Sequence, residues 1–258
     1  MNVLPPGTIL QLMYLKDRLR QLEPGTFVEI GAGAGNISAL LLSMGWTGKA
    51  YDLESSTVSA LRSRFSVEIQ NGQYQAVNED WLSSDTVGAY DLVISCMVME
   101  HFDDKGERAF IQRGKDSLNE NGVMITIVPG SLKHWGIEDE IAGHYRRYTK
   151  EAVSKTLADE GMNVVHTAGL TFPVSNILYP LSNYLVRRSE AKKLSLSMVE
   201  RTKQSGIRNV GMKTTFPKAL GLLLNQRVLY PLHILQKIFS GSSSAMVLYC
   251  EARPESRR

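Results

Sequence analysis

The run Thr26-Phe27-Val28-Glu29-Ile30-Gly31-Ala32-Gly33-Ala34-Gly35-Asn36 decides how the rest of the chain is read. A short apolar strand leads straight into alternate glycines, and the apolar spacing from Ile37 to Met44 is helical. Glycine takes up positive φ without steric cost and lets a ligand come close to the backbone. The helix behind the turn directs unpaired N–H groups at whatever lies there. Strand, glycine turn and helix in this order predict a nucleotide-type site. The dinucleotide fingerprint G-x-G-x-x-G would need a third glycine at Asn36; the spacing here is G-x-G-x-G, which argues against NAD.

Four further segments follow in order. Lys49-Ala50-Tyr51-Asp52-Leu53 reads as a second strand ending in an acid, at the distance a βαβ unit needs to bring a carboxylate onto a ribose diol. Val77-Asn78-Glu79-Asp80-Trp81 comes next, then the strand and turn Asp91-Leu92-Val93-Ile94-Ser95-Cys96-Met97-Val98-Met99-Glu100-His101, then Asn121 to Pro129. With Glu29 two residues before Gly31, this series resembles the motifs of Rossmann-like S-adenosylmethionine (SAM) dependent methyltransferases, over roughly residues 24 to 170 and again at the last strand. The resemblance implies SAM as cofactor, bound by Glu29, Gly31, Ala32, Gly33, Gly35, Asn36, Asp52, Leu53, Asp80, Trp81, Cys96 and Met97. Asp80 would meet the adenine amino group, and Trp81 would offer backbone and an apolar wall. It also implies an α/β fold, a doubly wound, seven-stranded, mostly parallel sheet with an antiparallel last strand, to which the residues between the last two strands add a helical lid.

The residues themselves support that architecture. From Thr26 to Pro129 apolar strands alternate with helical segments, Ile37 to Met44, Ser56 to Ser63 and Lys105 to Leu118, as in a parallel sheet wrapped by helices. Upstream, residues 1–23 hold an amphipathic helix over 8–22, capped by Thr8, with Ile9, Leu12, Leu15, Leu19 and Leu22 at helical spacing and a place over the cofactor edge. Downstream, a helix from Glu151 is ended by Gly161, and the strands Asn163 to Thr167 and Ala245 to Glu251 follow. A connection ordinarily needs few residues, so residues 170–242 are an insertion within a single domain of 1–258. It contains Leu170 to Val186, broken by Pro173 and Pro180, a basic run from Arg187, and an apolar helix from Pro217 to Phe239 punctuated by Lys218, Arg227 and Lys237. Helices roofing the substrate pocket are the first expectation. Peripheral contact with a membrane is the second, because interfacial helices are punctuated in this way.

Apolar content of 43% and charge of 21% are ordinary for a globular protein. Cys96 and Cys250 sit in apolar runs and point to a reducing, cytoplasmic location, and the start of the chain lacks the pattern of a secretory signal. The net charge of +3 is unevenly spread, with 14 Lys/Arg against 4 Asp/Glu in residues 187–258. Such polarity suits an anionic substrate, a carrier-linked one or an anionic surface. Nucleic acid fits less well, because aromatics are not interleaved with these basic residues.

For catalysis, Cys96-Met97-Val98-Met99-Glu100-His101 resembles a C-M-x-M-x-E-H-like run of small-molecule methyltransferases, including ubiquinone-biosynthesis O-methyltransferases, though one residue shorter. His101 follows the fourth strand, where a doubly wound sheet places reactive groups, and is a candidate base beside Glu100. Gly143-His144-Tyr145-Arg146-Arg147-Tyr148-Thr149 resembles a G-H-x-R-R-Y segment of many bacterial methyltransferases. Here His144 is a second candidate base, and Tyr145, Arg146, Arg147 and Tyr148 are candidate substrate contacts, with bidentate pairing to a carboxylate or phosphate open to the arginines. Alternatively one arginine ties the loop to Glu138, Asp139 or Glu140. No metal site is expected: no C-x-x-C or H-x-x-x-H accompanies the five histidines, and no ligand spacing supports an ion on Glu100, His101 and Asp103. The expected activity is methyl transfer to a small molecule, with oxygen the favoured acceptor; the alternatives are a nucleic-acid methyltransferase or a non-catalytic SAM-binding scaffold.

Overall fold

The computed structural model describes residues 3–84, 88–196, 201, 210, 212–214 and 216–255. Seven strands, β1 (Thr26–Ile30), β2 (Thr47–Tyr51), β3 (Tyr74–Val77), β4 (Tyr90–Cys96), β5 (Leu118–Pro129), β6 (Met162–Leu170) and β7 (Val247–Pro254), form one sheet in the order β3-β2-β1-β4-β5-β7-β6. β1 through β5 are parallel, and β7 runs antiparallel between β5 and β6. Crossover helices cover the parallel strands, so β1 and β4 are nearly continuous apolar runs rather than alternating ones, with Phe27, Val28, Leu92 and Ile94 fully buried. The registers Ile30↔Tyr51, Tyr51↔Val77 and Ile30↔Ser95 put four strand ends level at one edge. That edge includes the β1/β4 junction, where the strand order reverses and doubly wound sheets bind ligands.

The chain divides into two compact units. The sheet unit comprises Glu23–Val128, Lys150–Thr167 and Tyr249–Arg258. Its helices are α2 (Asn36–Ser43), α3 (Ser55–Arg64), α4 (Ser66–Gln70), α5 (Asp104–Asp116) and, later in the chain, α7 (Lys150–Asp159). The helical unit gathers Met1–Leu22, Pro129–Thr149 and Ala168–Leu248, and carries α1 (Pro6–Leu19), α6 (Ile137–Ala142), α8 (Val174–Glu190) and α9 (Tyr230–Ile238). The expected N-terminal helix and the described part of the 170–242 insertion thus belong to one unit; residues 197–200, 202–209, 211 and 215 of that insertion lie outside the described residues.

Three local expectations are revised. α1 begins at Pro6 and makes no side-chain cap, so Thr8 lies inside the helix. Proline is preorganised for a first helical position and has no N–H to leave unpaired. Pro180 does not break α8, which runs unbroken from Val174 to Glu190. An interior proline costs about 3 kcal/mol, offset here by a fixed inner face: Asn176 donates to Ser244 O (2.8 Å), Tyr179 to His134 O (2.8 Å) and Ser182 to Glu138 (2.7 Å). Finally, Pro217 to Phe239 is no single helix; a 3-10 turn, Lys218–Leu222, precedes the nine-residue α9.

Inside the helical unit, Ile9, Leu10 and Met13 of α1 pack on Leu229. Polar ties fix the pairing of α1 with α9. His233 Nε2 lies 2.9 Å from Asp17 Oδ2, and Gln236 donates to Leu10 O (2.8 Å) while accepting from Thr171 N (3.0 Å).

Candidate active site

The glycine turn links β1 to α2 in the sheet unit. Gly31, Gly33 and Gly35 all have positive φ, at 72°, 50° and 71°, and each for a different neighbour. A Cβ on Gly31 would stand 2.5 Å from Val98, and one on Gly35 2.5 Å from Leu61 and 2.8 Å from Phe65. A Cβ on Gly33 would meet nothing within 4 Å. The outer two glycines therefore serve packing as well as backbone conformation. Gly33 alone faces open space, the place where a ligand can reach the backbone.

The turn is held rigidly from several sides. Gly31 N donates to Tyr51 O (2.9 Å), Gly35 N to Ala32 O (2.8 Å), and Arg64 of α3 donates to Ala34 O and to Asn36 Oδ1 (3.3 Å). Asp52, one residue past β2, accepts from Gly33 N through Oδ2 (3.0 Å) and from Glu54 N through Oδ1 (3.0 Å). Asn78, one residue past β3, donates to Asp52 O (3.0 Å). The sheet edge thus brings Gly33 and Asp52 into direct contact, with the half-buried carboxylate kept in place by two backbone donors. Ala32 is buried, while Leu53 is exposed beside Asp52.

Glu29 is turned the other way. It is 2% exposed, and its carboxylate accepts from Ser38 of α2, whose hydroxyl also lies 3.0 Å from the Tyr74 hydroxyl. Burial, against the Ser38 hydrogen bonds, pushes the Glu29 carboxyl up to about 7. Its visible work is to tie β1 to α2 beneath the turn. Asp80 stands in solvent, accepting from Leu82 N (3.0 Å) and the Ser83 hydroxyl (3.0 Å). The Trp81 ring points into the core, packed edge-on against Phe110 with the Arg113 guanidinium over it. Any wall it offers a ligand is therefore backbone.

At the end of β4, Cys96 is half-buried and burial, then Glu100 and Glu29, push its thiol up to about 12, which removes it as a nucleophile. Met97 has φ 56°, a conformation unusual outside glycine, and its N donates to Ile127 O (2.8 Å). This strained residue sharpens the exit from β4 into the 3-10 turn Met99–His101. Glu100 there is fully buried and His101 half-buried. Asp103 instead caps α5 by accepting from Gly106 N (2.8 Å).

In the helical unit, the second motif is organised around an acid that the sequence did not single out. Asp139 is fully buried; its Oδ1 accepts from Arg147 Nε (2.8 Å) and lies 2.9 Å from His144 Nδ1, and its Oδ2 accepts from Gly136 N (2.9 Å). Burial would raise this carboxyl, but the bonds from His144 and Arg147 outweigh it and hold it below its ordinary value. Arg147 also donates to Gly130 O (2.9 Å), and Tyr148 is 2% exposed with its N donating to Pro129 O (2.9 Å). Arg147 and Tyr148, expected as substrate contacts, are thereby committed to the protein's own frame. Arg146 is half-buried and Tyr145 is exposed. The three neighbouring acids Glu138, Asp139 and Glu140 look alike in sequence, and only burial distinguishes the one that matters.

A family model described as a methyltransferase domain matches residues 9–167, which include the glycine turn and both histidine motifs. No curated protein sequence matches the chain significantly. Among solved structures, an S-adenosylmethionine-dependent methyltransferase from Clostridium acetobutylicum superimposes with TM-score 0.50 at 15% identity, covering 62% of this chain and 82% of that one. A magnesium protoporphyrin IX methyltransferase from Synechocystis, with bound S-adenosylhomocysteine (SAH), does so with TM-score 0.53 at 19% identity, covering 64% and 77%. The mitomycin 7-O-methyltransferase has TM-score 0.51 at 13% identity, covering 63% of this chain and 51% of its own. At these identities the likeness is one of fold.

Proposed function

From the premise that the chain belongs to the methyltransferase-domain family, we propose that it transfers a methyl group from SAM to an oxygen of a small-molecule acceptor. The observation that carries this reading is the contact of Gly33 N with Asp52 at the level edge of the sheet, beside the open space over Gly33. Backbone approach at Gly33 and a fixed carboxylate at Asp52 suit a nucleoside whose ribose hydroxyls donate to that acid. Two neighbours of the same fold are named for SAM dependence or for bound SAH, and a third for O-methylation, which supports the choice of cofactor and of acceptor atom.

When bound, SAM supplies a methyl carbon activated by its sulfonium, and the C–S bonding pair leaves with the sulfur as the acceptor oxygen forms the new bond. The protein's tasks are to hold the donor, align the acceptor and take its proton. His101 and His144 are the proposed bases, with Glu100 assisting the first. Asp139 strengthens the case for His144: a carboxylate at Nδ1 fixes the ring and favours the tautomer whose Nε2 accepts a proton. Tyr145 and Arg146 are proposed as the acceptor contacts, with Arg147 and Tyr148 acting behind them. An acceptor with an apolar body and an anionic group fits a guanidinium beside a phenol.

The test is single-turnover methyl transfer to an identified acceptor by His101→Ala and His144→Ala. Replacing the true base should lower the rate by about 10²–10⁴ while SAM affinity is unchanged. Near-silent substitutions at both positions would leave positioning alone as the mechanism.

A further inference from the structure

The apolar side chains that the helical unit leaves in solvent are arranged in stripes. On α8, Ile177, Leu181 and Tyr184 follow at helical spacing with Leu178 beside Ile177, and the first three are 73%, 56% and 59% exposed. The opposite face of α8 is the one whose Asn176, Tyr179 and Ser182 bond inward. On α9, Tyr230, Ile234 and Ile238 recur every fourth residue and are exposed, while His233 and Gln236 face α1. Phe172, just before α8, meets Phe239, just after α9, at 5.7 Å between ring centres, which sets the start of α8 beside the end of α9. Leu222 and Leu223 add the most exposed apolar turn, at 81% and 60%.

Between residues 170 and 248 the exposed charged side chains described are all cationic, and of these Lys237 is paired, with Asp17 of α1 at 2.9 Å. Arg187 and Arg188 close α8, Lys192 follows, and Lys218 and Arg227 flank the Leu222–Leu223 turn; all five are exposed and make no ion pair among the described residues. The one acid described between residues 170 and 248, Glu190, is buried and paired with Lys193 at 2.7 Å. An apolar surface rimmed by cations, with no exposed carboxylate described between residues 170 and 248, restricts what can cover it. A second copy of this face would set like charges against each other. A nucleic acid would meet the cations but leave the leucines and isoleucines uncovered. An anionic bilayer satisfies both features, because apolar side chains enter the boundary between headgroups and acyl chains while Lys and Arg meet the headgroups. No described helix is long and apolar enough to cross a membrane.

We infer that the helical unit docks through α8, α9, the Lys218–Leu222 turn and Leu223 onto the surface of an anionic lipid bilayer, lying on it rather than crossing it. The experiment is sedimentation of the full chain with vesicles of phosphatidylcholine alone and of phosphatidylcholine mixed with phosphatidylglycerol. The protein should partition onto the anionic vesicles and not the neutral ones. The double change Arg187→Gln with Arg188→Gln should weaken partitioning roughly 30-fold, at about a factor of five per basic side chain. Ile177→Ser with Leu181→Ser leaves the charge unchanged and should weaken it as well; an unaltered thermal midpoint confirms that each variant is folded. Absence of partitioning, equal partitioning onto both vesicle types, or binding indifferent to the Ile177 and Leu181 changes would overturn the inference. So would a dimer that forms without lipid and dissociates in the Ile177→Ser, Leu181→Ser variant.

Discussion

The two units differ in what they leave exposed. Among the described residues the sheet unit exposes three large apolar side chains, Leu53, Val67 and Val165, whereas the helical unit exposes sixteen. The first is therefore self-sufficient in its core, with Leu53 next to Asp52 as the one exception near the glycine turn. The second is complete only on the faces where α1 meets α9 and α8 meets residues 129–149. A monomer rarely leaves so much apolar surface without a use for it. The family model ends at residue 167, so the shared methyltransferase framework stops where most of that surface begins.

The polar centres differ in the same way, and each can be tested. The helical unit depends on Asp139, a buried charge holding Arg147, whose side chain is 7% exposed, and His144. Asp139→Ala should cost about 3–5 kcal/mol in denaturant unfolding, because it leaves a buried guanidinium without its carboxylate. If SAM binds at Gly33 and Asp52 as proposed, its affinity should change little. A joint loss of stability and SAM binding would break the distinction between the units.

The sheet unit's buried acid gives a smaller, pH-dependent effect. Glu29 titrates near 7 in the folded protein against an ordinary 4.5. A group whose folded pKa is raised contributes stability that is complete below its unfolded pKa and is lost as pH rises through the folded one. Between about pH 4.5 and pH 8, wild type should therefore lose on the order of 3 kcal/mol relative to Glu29→Gln. Unfolding curves across that range that run parallel for the two proteins would show that Glu29 ionises normally.

Much of the sheet unit was legible in the sequence, because its signals are local. Positive φ at Gly31, Gly33 and Gly35 and the position of Asp52 just past β2 follow from spacing alone. The direction of Glu29 does not: β1 is buried on both faces, so strand alternation carries no information about which way an acid points. Trp81 is a similar case, since a tryptophan after a strand can face a ligand or the core, and Phe110, which decides it, is far away in sequence. The helical unit was less legible. Its parts come from three separate stretches of chain, Pro180 is absorbed by the fixed inner face of α8, and Asp139 is chosen over Glu138 and Glu140 only by tertiary burial.

The proposed function requires SAM to bind where Gly33 and Asp52 meet. Titration calorimetry of SAM against wild type and Asp52→Ala, with NADH as the competing nucleotide, tests it most directly. Wild type should bind SAM and not NADH, and Asp52→Ala should weaken SAM by roughly 1.5–3 kcal/mol, the range for hydrogen bonds to a charged group. Binding of NADH without SAM, or SAM affinity unchanged in Asp52→Ala, would contradict it.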